Sequence, residues 1–259
     1  QLEDEILRVL DFVTNILRTF GFDRYDIYLS TKPEKASGSD EQWEVATAAL
    51  RKALESRGLP YVVDPGEGVF YGPKIDIKIK DALDRSWQCS TIQVDFHNPT
   101  QFKLEYIAED GKAHQPVMVH RALLGSLERF FGVLVEHYAG AFPLWLAPVQ
   151  AVVIPVSEKQ QAYGREVGEE LRKLGVRVQV DDRNEKLGYR IREAQVQKVP
   201  YMLVVGDKEV EAKSVSVRHR QAGDLGPQDV ASFGARVLRL SAERATREEA
   251  PAPSAGGVQ

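Results

Sequence analysis

His120, Ser126, Glu128 and Arg129 lie close together where the apolar run Val117-Met118-Val119 gives way to a helical pattern. An imidazole can bind a metal or carry a proton, and a guanidinium can neutralise and grip a phosphate. A helix that only closes a core needs no such group on its first turns. The i, i+3, i+4, i+7 spacing predicts a helix starting near Arg121, with Leu123, Leu124, Leu127, Phe130, Phe131 and Leu134 on its apolar face. Glu128 and Arg129 then flank that face. Gly125-Ser126 keeps the helix surface thin where another backbone or a nucleotide could approach. Taken alone, an Arg–Glu pair on the rim of a core helix is the plainer account.

Two further segments share this polar character. In Gly66-Glu67-Gly68-Val69-Phe70-Tyr71-Gly72-Pro73-Lys74 the glycines allow a tight loop that delivers Tyr71 and Lys74 to a strand. Its spacing is not that of the GxxxxGK[ST] phosphate loop. In Trp87–Phe96, strand alternation points Gln88, Ser90 and Ile92 one way and Cys89, Thr91, Gln93 and Asp95 the other. Amides and hydroxyls on a strand suited to burial each cost about 1–3 kcal/mol unless partnered. Either an internal network or a polar ligand lying across the sheet would satisfy them. Cys89 has no adjacent base and is not expected to act as a nucleophile.

The elements that carry these residues follow from periodicity. Helices are predicted over residues 3–20 and roughly 40–57, ended by Gly21 and by Gly58-Leu59-Pro60. Tyr25–Ser30 alternates as a strand, and Lys74–Lys80 alternates charge and isoleucine without a miss. Strand character returns over 86–96 and 102–109, and the 102–109 and 117–120 runs flank the hairpin signal Asp110-Gly111. These runs predict an α+β domain with a mainly antiparallel sheet over 1–142. Past the linker Phe142–Pro148, strands and helices alternate. Strands are expected at 150–156, 176–180, 201–205 and 214–218, and helices at 158–174, 187–197 and 228–240. That order predicts a small α/β domain with a mixed sheet over 143–243. Residues 244–259 lack any apolar period and are expected to be a disordered tail.

The 259 residues suffice for two domains, and the single cysteine excludes an internal disulfide and suits a reducing, cytoplasmic setting. No apolar run reaches the ~18 residues of a membrane span, so no membrane partner is expected. The net charge of −4 conceals a basic stretch over 183–220, with nine Lys/Arg against five Asp/Glu, compatible with a polyanion surface or a solvated face. The first residues already read as a helix in progress, so the chain is expected to begin inside a domain.

Together these motifs resemble class II aminoacyl-tRNA synthetases, and within them the threonyl-tRNA synthetase family. Glu67–Asp76, Trp87–Phe96, Pro116–Tyr138 and Phe142–Gln150 are similar to its active-site sheet, third class signature and interdomain joint. Asp182–Glu193 and Val199–Glu209 are similar to its anticodon-binding domain. The resemblance extends to about residue 243. It implies ATP-dependent activation of threonine, with Mg2+, and transfer of the threonyl group to tRNA(Thr). It assigns Arg129 and Lys74 to catalysis, Gln88, Ser126 and Arg129 to ATP, Tyr71 and Gln93 to the amino acid, and His120 to zinc as one of three ligands. Asn184, Arg192, Glu209 and Arg218 match anticodon-reading positions, for which the plain alternatives are a solvated helix face at Arg190 and Arg192 and a cross-strand Arg218–Glu209 pair. Ser90 stands where the family usually has Gly. The family's other two zinc ligands, its first two class signatures and its editing domain lie upstream of Gln1. The chain alone is therefore expected to be inactive, although the full-length enzyme is expected to be a homodimer. Two alternatives stay open: a non-catalytic tRNA-binding paralogue, and a prolyl, histidyl or glycyl relative.

Overall fold

The computed structural model describes residues 2–246. The tail expected from residue 244 thus lies, from 247 onward, outside the described residues. The chain divides between His137 and Tyr138 into two compact units.

In the first unit, α1 (Leu2–Thr19) buries Ile6, Leu10, Val13 and Leu17 as one stripe, with Glu3, Asp4 and Glu5 complementing the positive end of its dipole. After β1 (Tyr25–Ser30), α2 (Asp40–Ser56) opens on a capping box between Ser39 and Gln42 and buries Trp43, Ala46, Leu50, Ala53 and Leu54. The chain continues through β2 (Val62–Asp64), β3 (Lys74–Lys80), β4 (Ser86–Asp95), α3 (His97–Gln101), β5 (Tyr106–Ile107), β6 (Ala113–His114), β7 (Met118–Ala122) and α4 (Leu127–His137). The sheet order is β2-β1-β3-β4-β7, antiparallel except for the β1–β2 pair. Ile75, Ile77 and Ile79 are fully buried on one face. Each such side chain contributes about 1.5–3 kcal/mol by leaving water. The opposite face is polar, with the rows Ser30–Lys74–Gln93–His120 and Tyr28–Asp76–Thr91–Ala122 running across four strands.

Three local expectations are corrected. The register of β3 against β4 steps from Ile77–Ser90 to Lys78–Gln88, so Cys89 is an extra residue in a bulge. A bulge interrupts strict alternation, and it turns Gln88 to the face of Thr91 and Gln93 rather than that of Ser90 and Ile92. The helix near Arg121 begins only at Leu127, because Arg121 and Ala122 pair with β4 and Gly125 takes a left-handed φ of 65°. Its buried face is Phe130, Val133 and Leu134, while Leu127 and Phe131 are exposed. Finally, β5 pairs with β6 in a short hairpin, and β7 pairs with β4, so the 102–109 and 117–120 runs are not partners.

The second unit contains β8 (Ala151–Pro155), α5 (Gln161–Lys173), β9 (Val178–Val180), α6 (Leu187–Val196), β10 (Tyr201–Val205), α7 (Asp207–Ala212), β11 (Ser214–His219), β12 (Gly223–Asp229) and α8 (Val230–Ala242). Its sheet order is β12-β11-β10-β8-β9, with β8, β9 and β10 parallel and β11 and β12 antiparallel. One face packs Val153, Leu203, Val215 and Val217 with Val167 and Leu171 of α5 and Phe233 and Val237 of α8. The other packs Val152, Ile154 and Met202 with Ala194 and Ile191 of α6. The Pro-bracketed segment before β8 has carbonyls that no ladder satisfies, and two arginines hold them. Arg177 donates to the Leu144, Trp145 and Ala147 carbonyls, and Arg220 to those of Ala141 and Phe142. Among the described residues no helix is long and apolar enough to cross a membrane.

The loop before β3 depends on Gly72. A Cβ there would lie 1.6 Å from the Val94 carbonyl oxygen, so backbone must move to admit it. Gly72→Ala is expected to cost about 3 kcal/mol, the upper end for overpacking. Gly66→Ala, in open space at φ 84°, should cost only about 1 kcal/mol. Urea unfolding of the two variants checks this, and equal stabilities would contradict it.

Candidate functional site

The polar face of the first sheet collects six of the residues singled out by type. Tyr71, at the end of the glycine loop, donates its hydroxyl to Gln93 Oε1 at 2.7 Å, and its ring lies 5.9 Å from that of His120. Lys74 Nζ is 2.7 Å from Asp76 Oδ2. Gln88 Nε2 donates to Asp76 Oδ1 at 2.6 Å, and Thr91 Oγ1 donates to the same oxygen at 2.7 Å. His120 Nε2 is 2.7 Å from Asp95 Oδ2, and Asp95 also accepts from the Asn98 backbone and side chain.

Asp76 and Asp95 are buried, at 4% and 0% exposure, and sequence reasoning gave them no part. Asp76 read as the solvent side of an alternating strand and Asp95 as one more polar strand residue. Their signal was chemical: a buried carboxylate must be met by donors, and three of the donors that meet these two, Lys74, Gln88 and His120, are candidate site residues. Burial works to raise the Asp95 carboxyl, but hydrogen bonds from His120 and Asn98 outweigh it and hold the group below the ordinary aspartate value. Burial raises the Tyr71 phenol, and the Asp95 charge raises it further, so the hydroxyl stays a donor.

At the bulge the start of α4 docks on β4. Ser90 Oγ donates to the Leu123 carbonyl, and a Cβ on Gly125 would stand 3.2 Å from the Cys89 carbonyl oxygen. The thin surface at Gly125 therefore admits the neighbouring strand. Ser126 Oγ accepts from the Arg129 amide at 3.2 Å and caps the helix. Arg129 is exposed, and its Nη1 donates to the Gln88 carbonyl at 3.1 Å. Its guanidinium is thus held at the backbone of Gln88 beside the bulge.

In the second unit, Asn184 and Glu209 follow the carboxyl ends of β9 and β10, the common edge of the parallel strands. Asn184 lines a groove of about 400 Å³ with Ser157, Lys159 and Gln161. Glu209 Oε2 accepts from the Gly206 amide at 2.9 Å, capping α7. Arg192 is exposed on α6. Arg218 lies beside Met202 on β10, with Nη1 3.6 Å from Asp224 Oδ2 and a buried Nε that lacks a hydrogen bond. Asp224, not Glu209, is therefore its cross-strand partner. Arg190 is no solvated surface residue: it is 3% exposed and donates to the carbonyls of Asp181, Pro155 and Val156. It fastens the loop that bears Asn184 to the end of β8.

With this geometry the chain can be placed among known proteins. Residues 1–138 match the tRNA synthetase class II core domain (G, H, P, S and T), and residues 150–240 match the anticodon binding domain. The chain belongs to the class II tRNA synthetases. Within that class its similarity runs to the threonine enzymes. It is 56% identical over 245 residues to the threonine–tRNA ligase of Caldanaerobacter subterraneus subsp. tengcongensis, covering 95% of this chain and 38% of that protein. It is 57% identical to the threonine–tRNA ligase of Carboxydothermus hydrogenoformans over 90% of this chain and 37% of that protein. The chain thus spans less than two-fifths of the length of these curated relatives. A solved RNA binding domain of threonyl-tRNA synthetase from Cryptosporidium parvum Iowa II superposes with a TM-score of 0.86 at 39% identity, covering 93% of this chain and 60% of that one.

Cys89 lies at the centre of the bulge and is buried. Burial pushes its thiol up to about 11 against the opposing charge of Arg129. The folded thiol therefore stays protonated at pH 8 and ionises only as pH rises toward 11. Alkylation at pH 8 should run about 100-fold slower in the folded chain than in urea. Rapid labelling of the folded chain would contradict this placement.

Proposed function

We propose that this chain carries part of the active site and the anticodon-reading surface of a threonine–tRNA ligase. The observation that supports this reading best is the convergence of Tyr71, Lys74, Gln88, Gln93 and His120 on one polar sheet face, with Arg129 held on the Gln88 backbone carbonyl. Such a face suits a substrate that is polar at both ends, a nucleotide joined to an amino acid. In the proposed reaction a threonine carboxylate oxygen attacks the α-phosphorus of Mg2+-bound ATP and pyrophosphate leaves. The terminal ribose hydroxyl of tRNA(Thr) then attacks the threonyl carbonyl, and AMP leaves.

Arg129 would swing from the Gln88 carbonyl onto the nucleotide, its planar guanidinium stacking on the base and neutralising phosphate charge. Lys74, held by Asp76, would add a second positive charge at the transferring phosphoryl. Gln88 would contact ATP directly, and Ser126 would act through the cap that sets the direction of Arg129. Tyr71 and Gln93, already bonded to each other, would present one fixed polar edge to threonine. Asn184, Arg192, Glu209 and Arg218 would read anticodon bases, since Arg and Asn suit base edges and Glu accepts from base N–H groups.

Zinc, which the relationship suggests, does not fit the described residues by themselves. Among them no three His, Cys, Asp or Glu side chains are grouped to hold a metal. His120 has Nε2 engaged by Asp95, whose two oxygens are both in use. The chain's own contribution would be one imidazole nitrogen, Nδ1, with the ring oriented by the hydrogen bond between Nε2 and the Asp95 carboxylate. A homodimeric, cytoplasmic enzyme is part of the same reading.

Binding of tRNA separates this reading from a prolyl, histidyl or glycyl specificity. The chain should retain a threonine tRNA transcript in preference to a proline one, and Arg192→Ala should weaken the former by about tenfold. Equal retention of both transcripts, unchanged by Arg192→Ala, would overturn the assignment.

A further inference from the structure

The geometry points to Asp76 as a positioning residue that fixes the polarity of the Gln88 amide, so that Gln88 Oε1 is offered as an acceptor to a hydrogen-bond donor on the nucleoside part of the ligand. This rests on the nucleotide reading above and adds to it a chemical requirement on the ligand.

Asp76 is buried, and its carboxylate only accepts. Lys74 Nζ approaches Oδ2 at 2.7 Å, while Gln88 Nε2 and Thr91 Oγ1 approach Oδ1 at 2.6 and 2.7 Å. An amide facing a carboxylate must turn its NH2 inward, because two facing oxygens would repel. The Thr91 hydroxyl places its one proton on Asp76, so toward Gln88 it too acts as an acceptor, with Nε2 3.0 Å away. Asp76 Oδ1 and Thr91 Oγ1 thus hold the same side of the Gln88 nitrogen, and the carbonyl end of the amide points away from both. Gln88 is exposed, and among the described residues its Oε1 accepts no hydrogen bond. The Cys89 bulge is what makes this possible, since unbroken alternation would put Gln88 on the isoleucine face.

An oriented carbonyl at the rim selects an N–H or O–H. On ATP the donors are the exocyclic 6-amino group of the base and the ribose hydroxyls. A glutamine that could flip freely would turn its NH2 outward and donate to a carbonyl there equally well. A glutamine held by a carboxylate would not.

Titration of the 259-residue chain with Mg2+ complexes of ATP, inosine triphosphate and 2′,3′-dideoxy-ATP tests the inference. Inosine triphosphate replaces the 6-amino donor with an oxygen, and the dideoxy compound lacks both hydroxyls. One of the two analogues should bind about tenfold more weakly than ATP, and which one it is identifies the donor. Asp76→Asn, whose amide can turn either end to Gln88, should shrink that penalty to threefold or less. Gln88→Met should remove it, and because Gln88 is exposed this variant carries the test even where Asp76→Asn does not fold. Two analogues as tight as ATP would overturn the inference and leave the nucleotide reading standing. A full penalty in folded Asp76→Asn would overturn the role of Asp76, and in Gln88→Met that of Gln88. Binding of none of the three would overturn the nucleotide reading and the inference with it.

Discussion

Asp76 and Asp95 carry charge on strands whose other face is packed isoleucine and valine, and the first unit is arranged around meeting that charge. An uncompensated carboxylate at such a depth costs several kcal/mol, more than any single aliphatic contact returns. Asp76 gathers a lysine, a glutamine and a threonine from β3 and β4, and Asp95 gathers His120 from β7 and Asn98 from α3. Of these, Gln88, Thr91 and His120 reach across strand boundaries. The same bonds that neutralise the carboxylates therefore fix the direction of Lys74, Gln88, Thr91 and His120 on the face.

The bulge at Cys89 joins the two halves of this arrangement. One extra residue brings Gln88 over to Asp76, and the bent strand receives the start of α4 through Ser90, Gly125 and Arg129. A flexible arginine is thereby tethered at its tip to backbone, close to where it would work and free to exchange one carbonyl for a ligand. In the second unit a buried arginine does comparable work. Arg190 ties the loop after β9 to the end of β8 through backbone carbonyls, which leaves Asn184 displayed at the strand edge.

Periodicity made much of the fold legible. The alternation of Lys74–Lys80 and the stripes of α1 and α2 are strong signals, and each appears at the expected place. Features that depend on one residue out of period were not visible. A bulge leaves no mark on composition, so strict alternation put Gln88 on the wrong face. Leu123-Leu124 looks helical in a window, yet pairing of Arg121 and Ala122 with β4 outweighs that local preference. The strand β12 contains Gly226 and Pro227, which lower strand propensity at an edge where they are tolerated. Motif identity, by contrast, carried the family well before geometry did. It named Lys74, Gln88 and His120, but not the carboxylates that hold them: strand register brings Gln88 to Asp76 and His120 to Asp95, and the burial that makes Asp76 need Lys74 is a property of the folded sheet.

Asp76 and its donors form one coupled unit, beyond ordinary strand polarity. A double-mutant cycle of Lys74→Met and Asp76→Asn, followed by urea unfolding, measures this directly. A coupling of about 2 kcal/mol is expected, as for a charged hydrogen bond made at low exposure. Strictly additive losses would contradict it.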